Sequence, residues 1–313
     1  MNKLIVSSSP HFNGRDTTQT IMRDVIIALT PAVIASVVYF GLQAAILIFV
    51  TVTSSFLSEY LCRRVMKRKQ TVGDLSCVVT GILLALNLPP SVSPIIAAFG
   101  GVIAIVVVKQ MFGGIGQNFV NPALTARIIL MNSFPSKMTA WTTPFDAATT
   151  ATPLGILKSG AGEAVPSYLN LFLGNRAGCL GETCILAILI GGIYLIARKV
   201  ISPVIPVTYL GTAAIFSLLL GRDPLFDLMA GGLVLGAVFM ATDYTTSPIH
   251  TKARIVYAIG CGILTILIRA FASLPEGVSY SIVIMNILVP LIERAVKVRP
   301  FGAARKERAK NET

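Results

Sequence analysis

The sequence predicts an all-α polytopic membrane protein of about ten transmembrane helices. Three observations carry this: composition, the spacing of apolar runs, and the placement of basic residues. Of 313 residues, 54% are hydrophobic and 13% charged, and the mean hydropathy of +0.76 lies far above that of an ordinary soluble domain. A spanning helix takes about 20 apolar residues, so the length suits a single membrane domain over 1–313, with no separate soluble domain.

Apolar runs interrupted by Pro, Gly and charge predict spans near 24–40, 42–61, 75–89, 92–110, 121–133, 180–197, 203–220, 226–241, 254–272 and 278–294. The third, fifth and eighth are short, and the fifth contains Arg127, so some of these helices are expected to be broken. An even count places both termini on one side.

Lys and Arg number 26 against 14 Asp and Glu, a net charge of +12 that in a soluble protein would suggest nucleic acid. With the N-terminus inside, twenty basic residues fall in inner segments, among them Arg63, Arg64, Lys67, Arg68, Lys69 and Lys109. Five fall outside: Lys137, Lys158, Arg176, Arg222 and Arg269. This positive-inside bias predicts a cytoplasmic N-terminal segment 1–23, an extracytoplasmic loop 134–179 and a basic cytoplasmic tail 295–313. The charge then serves orientation and contact with anionic lipid, and no nucleic-acid partner is expected. The N-terminal segment is polar and lacks the short apolar core of a secretory signal, so the first span is expected to be retained.

Two segments resemble each other. Asp74-Leu75 opens a span ending in LNLPPSVSP, and Asp227-Leu228 opens one ending in ATDYTTSP. They are spans three and eight. A repeat unit of five spans reverses direction across the membrane, which predicts two inverted five-helix halves with a ligand site between them, near broken helices. Asp74 and Asp227 read as N-terminal helix caps, with ion binding as the alternative.

Residues for common chemistries are scarce. His11 and His250 are far apart, no HExxH or CxxC pair occurs among two histidines and five cysteines, and neither a zinc, haem nor iron–sulfur site is expected. Cys179 and Cys184 flank the outer end of span six, where packing is favoured over pairing. Walker A and GxGxxG loops are missing as well.

Three stretches stand out. In FGGIGQNFVNPALTAR (112–127) glycines permit close backbone approach, and Asn121-Pro122 is a helix start with Asn as cap and Pro at the first position. Asn118 and Asn121 lie three apart on one helical face. An intramembrane Arg127 is costly and marks a site by default, with a carboxylate or bound phosphate as its expected partner and structural pairing as the alternative. In TTPFDAATTATPLGILKSG (142–160) threonines crowd around one acid, Asp146; composition by itself reads as a flexible linker, although long loops of this kind are often functional. GNRAGCLGETCILA (174–187) is a Gly-rich approach to span six with no catalytic role assigned.

GGIGQNFVNPA, DAATTATPL, GNRAGCLGET and GAVFMATDYTTSP occur in the order found in the D subunit of the Rnf-type ion-translocating oxidoreductase, a relative of the B subunit of the sodium-translocating NADH:quinone reductase. The chain resembles that family over essentially its whole length. In the family a threonine ending an S-G-A-T motif carries flavin mononucleotide (FMN) through a phosphoester. The resemblance therefore implies attachment at Thr152, in Thr149-Thr150-Ala151-Thr152, where Thr149 and Thr150 replace Ser and Gly; Asp146 matches the acid that commonly begins the motif. Asn118 and Asn121 resemble family residues lining a second, noncovalent flavin, riboflavin. An isoalloxazine ring carries the redox work while the protein positions it.

The resemblance also implies an electron-transfer subunit of a multisubunit complex in the cytoplasmic membrane of a prokaryote, coupling ferredoxin and NAD oxidoreduction to Na+ or H+ movement. It is not expected to be catalytic alone. Its partners would be other subunits, including membrane subunits and an extracytoplasmic FMN subunit. The rival readings are a secondary transporter or channel, drawn from the repeat, and a flavin-less scaffold.

Overall fold

The computed structural model describes residues 17–145, 150–159, 167–272 and 277–296; Asp146 and Thr149 lie outside these residues. Helix α1, Thr18–Val65, opens with a capping box between Thr17 and Thr20 and is broken at Gly41, where φ is 67° and ψ −151°. That left-handed backbone suits glycine, and here it reverses the chain. Thr18 and Arg63 both reach the loop after residue 110, Thr18 lining a cavity with Ile115 and Gly116 and Arg63 lying against Gly114. Tyr39, next to the break, instead donates to the Leu173 carbonyl at 2.8 Å. The first two predicted spans are thus the limbs of one helical hairpin. The end of the molecule holding Thr18 and Arg63 is called the Arg63 end, and the opposite one the Thr152 end.

The remaining helices are α2 (Ser76–Leu86), α3 (Pro94–Val102), running on as π-helix over Ile103–Gln110, α4 (Pro122–Ser133), α5 (Pro135–Met138), α6 (Pro153–Ser159) and α7 (Tyr168–Leu173). Then come α8 (Ile185–Ala197), α9 (Val204–Leu219), α10 (Pro224–Met229), α11 (Leu233–Leu235), a π-helical turn over Gly236–Met240, α12 (Thr251–Phe271) and α13 (Val278–Ala295). Helix falls in every stretch read as a span. Among the described residues three helices, α1, α12 and α13, are long and apolar enough to cross a bilayer, while α2, α3 with its π-helical extension, α8 and α9 are shorter apolar helices.

The packing is that of a protein in lipid. Large apolar side chains such as Leu42, Phe49, Ile95, Val207 and Phe271 are exposed, whereas Ser36, Thr51, Ser55 and Ser281 are buried. Lipid tails are as apolar as Leu, so close approach through small residues drives helix association. A β-carbon on Gly191 of α8 would sit 2.0 Å from the Ala28 carbonyl oxygen of α1. Helices α1 to α4 pack together, as do α9 to α13, and the α1–α8 and α4–α13 contacts join the two sets.

The two Asp-Leu segments run in opposite directions. Ser76, at the start of α2, meets Lys109 at 2.6 Å at the Arg63 end, and Leu86, at its finish, accepts from Gly181 N at 2.7 Å. The second segment begins beside Glu182, which touches Gly231 and Gly232, and its downstream residues Asp243 and Thr245 share a cavity with Ser76 and Lys109. This segment is discontinuous: α10 stops at Met229, Gly231 has φ 66°, and helix resumes at Leu233. Arg269 of α12 donates to the Asp227 and Ala230 carbonyls, and Arg176 to those of Met229 and Gly231. Freed carbonyls inside a membrane protein need such internal partners.

Several expectations change. Asp74 is not the N-cap of α2, which is Leu75 in left-handed backbone; it stands one residue earlier, its Oδ1 accepting from Ser76 N at 2.9 Å. The cap of α10 is Asp223. Asp227 instead accepts from Arg222 at 2.8 Å and from Ser217 at 2.6 Å. Lys109, Arg176 and Arg269, counted from the sequence as loop charges, are all buried, because helix breaks and a buried acid supply partners that a count of charges does not see. Lys109 Nζ lies 2.7 Å from Glu59 Oε2, both almost fully buried, and Glu59 Oε1 accepts from Thr71 at 2.8 Å. Cys179 and Cys184 are free thiols.

Removing one partner of a buried ion pair strands the other, at a cost of about 3–5 kcal/mol. Lys109→Met should therefore lower the thermal unfolding midpoint in detergent markedly, and the Glu59→Gln/Lys109→Met double variant should recover most of the loss. A double variant no more stable than Lys109→Met would contradict this account.

Candidate functional site

Thr152 stands immediately before α6. Thr150 N donates to the Trp141 carbonyl at 3.1 Å, and Leu154 packs with Leu171, Phe226 and Ala230, which together pin the segment. Thr150 is exposed, while Thr152 is buried and its Oγ1 accepts from Gly155 N at 3.1 Å. Thr152 turns into a narrow cleft whose other walls include Arg176, Gly178, Glu182 and Gly231. The Arg176 guanidinium also donates to the Glu182 carbonyl. Glu182 Oε1 accepts from Cys179 N at 2.8 Å, and Oε2 is buried with no hydrogen bond among the described residues. The hydroxyl therefore shares its cleft with a fixed cation. A guanidinium binds phosphate oxygens through charge-assisted hydrogen bonds, and the Glu182 carboxylate stands in the same cleft.

A second site lies toward the Arg63 end, between the two sets of helices. It is a cavity of about 390 Å³, within the size range of small-molecule sites. Val79, Leu83, Leu195 and Phe239 form its apolar walls, and Ser76, Thr80, Lys109, Asn118, Asn121, Asp243 and Thr245 its polar ones. Asn121 caps α4 as the sequence predicts, Oδ1 accepting from Ala123 N at 3.0 Å and Leu124 N at 3.3 Å. Its Nδ2 reaches across to the Met240 carbonyl at 3.3 Å. Asn118 Nδ2 donates to Thr245 Oγ1 at 3.0 Å, and Thr245 in turn donates to Asp243 Oδ2 at 3.1 Å. Burial pushes the Asp243 carboxyl above its ordinary range, opposed by the hydrogen bonds from Thr245 and Thr246. Amide donors and acceptors beside flat apolar walls suit the edge of a planar heterocycle.

Arg127 lies between the two sites and lines neither of these cavities. Its Nη1 donates to Asn87 Oδ1 at 3.2 Å and Ser279 Oγ at 2.9 Å, and its Nη2 contacts Cys179 Sγ at 3.3 Å. These three partners, among the described residues, are neutral groups. Arg176 and Glu182 lie in the Gly-rich run 174–187, which the sequence singles out without assigning it a role, and Glu59 on α1 carries no sequence signal that marks it as a site residue. For Lys109 a signal exists: it follows the unbroken apolar run Ile103–Val108, where a charge is expensive unless paired.

The family model described as the NQR2, RnfD, RnfE family matches residues 5–302. The D subunit of the Na(+)-translocating ferredoxin:NAD(+) oxidoreductase complex of Acetobacterium woodii is 50% identical over 306 residues, covering 96% of both chains. The D subunit of the proton-translocating ferredoxin:NAD(+) oxidoreductase complex of Clostridium ljungdahlii is 42% identical, covering 97% of this chain and 98% of its own. The D subunit of an ion-translocating oxidoreductase complex of Stutzerimonas stutzeri is 36% identical over 92% of this chain and 93% of its own. On these matches the chain belongs to the NQR2, RnfD, RnfE family of membrane proteins.

Proposed function

We propose that this chain is the membrane electron-transfer subunit of a ferredoxin:NAD+ oxidoreductase complex that drives Na+ or H+ across the membrane. In this reading Thr152 carries FMN as a phosphoester, and riboflavin occupies the cavity of Asn118 and Asn121. The observation that carries it is that Thr152 and the buried Arg176 line one cleft, at the opposite end of the molecule from an amide-lined cavity. The names of the Acetobacterium woodii and Clostridium ljungdahlii relatives agree on a ferredoxin:NAD+ complex and differ in the ion.

A flavin at each site would accept and pass on electrons. The chain's own part is to hold and insulate. Arg176 offsets the negative charge of a phosphodiester, while Leu154 and its neighbours fix the point of attachment. Asn118 and Asn121, each already anchored by one hydrogen bond to the opposite set of helices, present amide edges in fixed orientations. Arg127, in a dry interior between the two sites, contributes positive potential that favours the reduced, more negative state of either flavin. Partner subunits supply the sites for NAD and ferredoxin. The basic residues that remain at the Arg63 end, including Arg64, Lys67, Arg68 and Lys69, support a cytoplasmic placement of that end. Thr152 then faces the extracytoplasmic side, within reach of an FMN-bearing partner subunit.

Intact mass of the native chain should exceed the sequence mass by one FMN less water, with a fluorescent flavin band after denaturing electrophoresis. Thr152→Ala should abolish both, and Thr150→Ala should leave both intact. A native chain of unmodified mass would favour a transporter or scaffold, and a band persisting in Thr152→Ala would move the attachment elsewhere in the loop. Riboflavin released from the purified complex by acid should fall at least fivefold in Asn118→Leu/Asn121→Ser, where Ser retains a capping oxygen. The FMN mass on Thr152 should be unaffected.

A further inference from the structure

We propose that a second cavity at the Arg63 end, between the α8–α9 turn and the start of α12, binds the phosphate of an anionic phospholipid headgroup. It measures about 420 Å³ and is lined by Lys199, Ser202, Thr242, Tyr244, Ser247 and Arg254 on its polar side. Among the described residues, no acidic side chain lines it. Two cations with the Ser202 and Ser247 hydroxyls lining one space form the donor set of a phosphate site, while Thr242 Oγ1 donates to the Val238 carbonyl at 2.6 Å.

The neighbouring charges reinforce that bias. Arg198, next to Lys199, is engaged with Asp24 at 3.2 Å, so the acid on α1 is already neutralised. Asp243, between two lining residues, directs its carboxylate to Thr245 and Thr246 and lines the other cavity. Glu293 of α13 accepts from Ile249 N at 2.8 Å and does not line the space. Arg254 is held through Nε on the Pro248 carbonyl at 2.9 Å. Lys199 stands in left-handed backbone, φ 58°, at the turn that leads into α9. That helix begins beside the cavity at Pro203 without a side-chain cap, adding the positive end of its dipole.

The remaining wall selects a lipid over a free anion. Ile196, Val200, Ile201 and Ile205 supply it. Ile196 is 38% exposed and Ile193, one turn back on α8, is 66% exposed, so the cavity opens beside an apolar, lipid-facing helix surface. A free phosphate gains nothing from such a wall, whereas a headgroup with its first acyl carbons uses both halves. Basic pockets between membrane helices are suited to acidic headgroups. The cavity shares Val200, Ile201, Thr242 and Tyr244 with the wall of the amide-lined cavity, and lipid binding here does not require a flavin at Thr152.

The test uses the purified complex in a neutral detergent. Added phosphatidylglycerol should raise the thermal unfolding midpoint in a saturable manner, phosphatidylcholine should not, and native mass spectra should show bound phosphatidylglycerol. Lys199→Gln/Arg254→Gln should weaken the apparent lipid affinity at least tenfold, and Lys67→Gln/Lys69→Gln, which removes two exposed cations from the same end, should leave it unchanged. If the double variant does not assemble, Lys199→Gln alone is read in the same way, with a threefold loss expected. Full retention of the lipid response in the cavity variants overturns the proposal. So does an equal response to inorganic phosphate alone, which would make the ligand a free anion.

Discussion

Most polar groups inside this molecule find their partners within the protein, because lipid offers none; Gln110 and Glu182 Oε2 are exceptions among the described residues. That constraint organises the structure more than hydrophobic burial does. It explains why Arg127, the costliest residue of its span, is met by Asn87 from the end of α2, Ser279 from α13 and Cys179 from the loop before α8. One guanidinium thereby ties together both sets of helices. It also explains the arginines at the interruption of the eighth span, where Arg176 and Arg269 take up carbonyls that a continuous helix would have satisfied itself.

The broken segments are what make sites possible. A continuous helix presents side chains and hides its backbone, so it offers little to a polar ligand. Where α10 gives way to Gly231 and Gly232, the chain leaves room for Glu182 and for the cleft of Thr152. At the opposite end, the loop before α4 and the loop after Met240 meet across the interface, and Asn118 and Asn121 bond to Thr245 and to the Met240 carbonyl. The polar edges of the two halves therefore close on each other around a cavity with apolar walls.

The buried pair of Glu59 and Lys109 belongs to the same pattern. Both charges lie in helical segments whose surroundings are apolar, and each is tolerable only because the other is 2.7 Å away. Thr71 and Ser76 satisfy further oxygen and nitrogen valences there. Such a network fixes the approach of α1, α2 and the π-helical end of α3, and it forms one wall of the larger cavity. Its net gain in stability is small, since desolvating two charges offsets most of their attraction.

The helical membrane class, the positions of the apolar segments, the Asn121-Pro122 helix start and the opposed direction of the two Asp-Leu segments were all legible in the sequence. These follow from local composition and periodicity, which the chain carries wherever it goes. Thr152 and the flavin roles of the two asparagines came from the family resemblance, and the fold places Thr152 in a cleft and the asparagines on a cavity wall. The remaining features arise only on folding. Whether Lys109 is a surface charge or half of a buried pair depends on Glu59, fifty residues away, and whether Asp227 caps a helix or binds Arg222 depends on a turn geometry that no spacing encodes. Arg176 became part of the Thr152 cleft only when a loop and a helix break converged. Side-chain partners across large sequence separations are set by packing, and packing is a property of the folded whole.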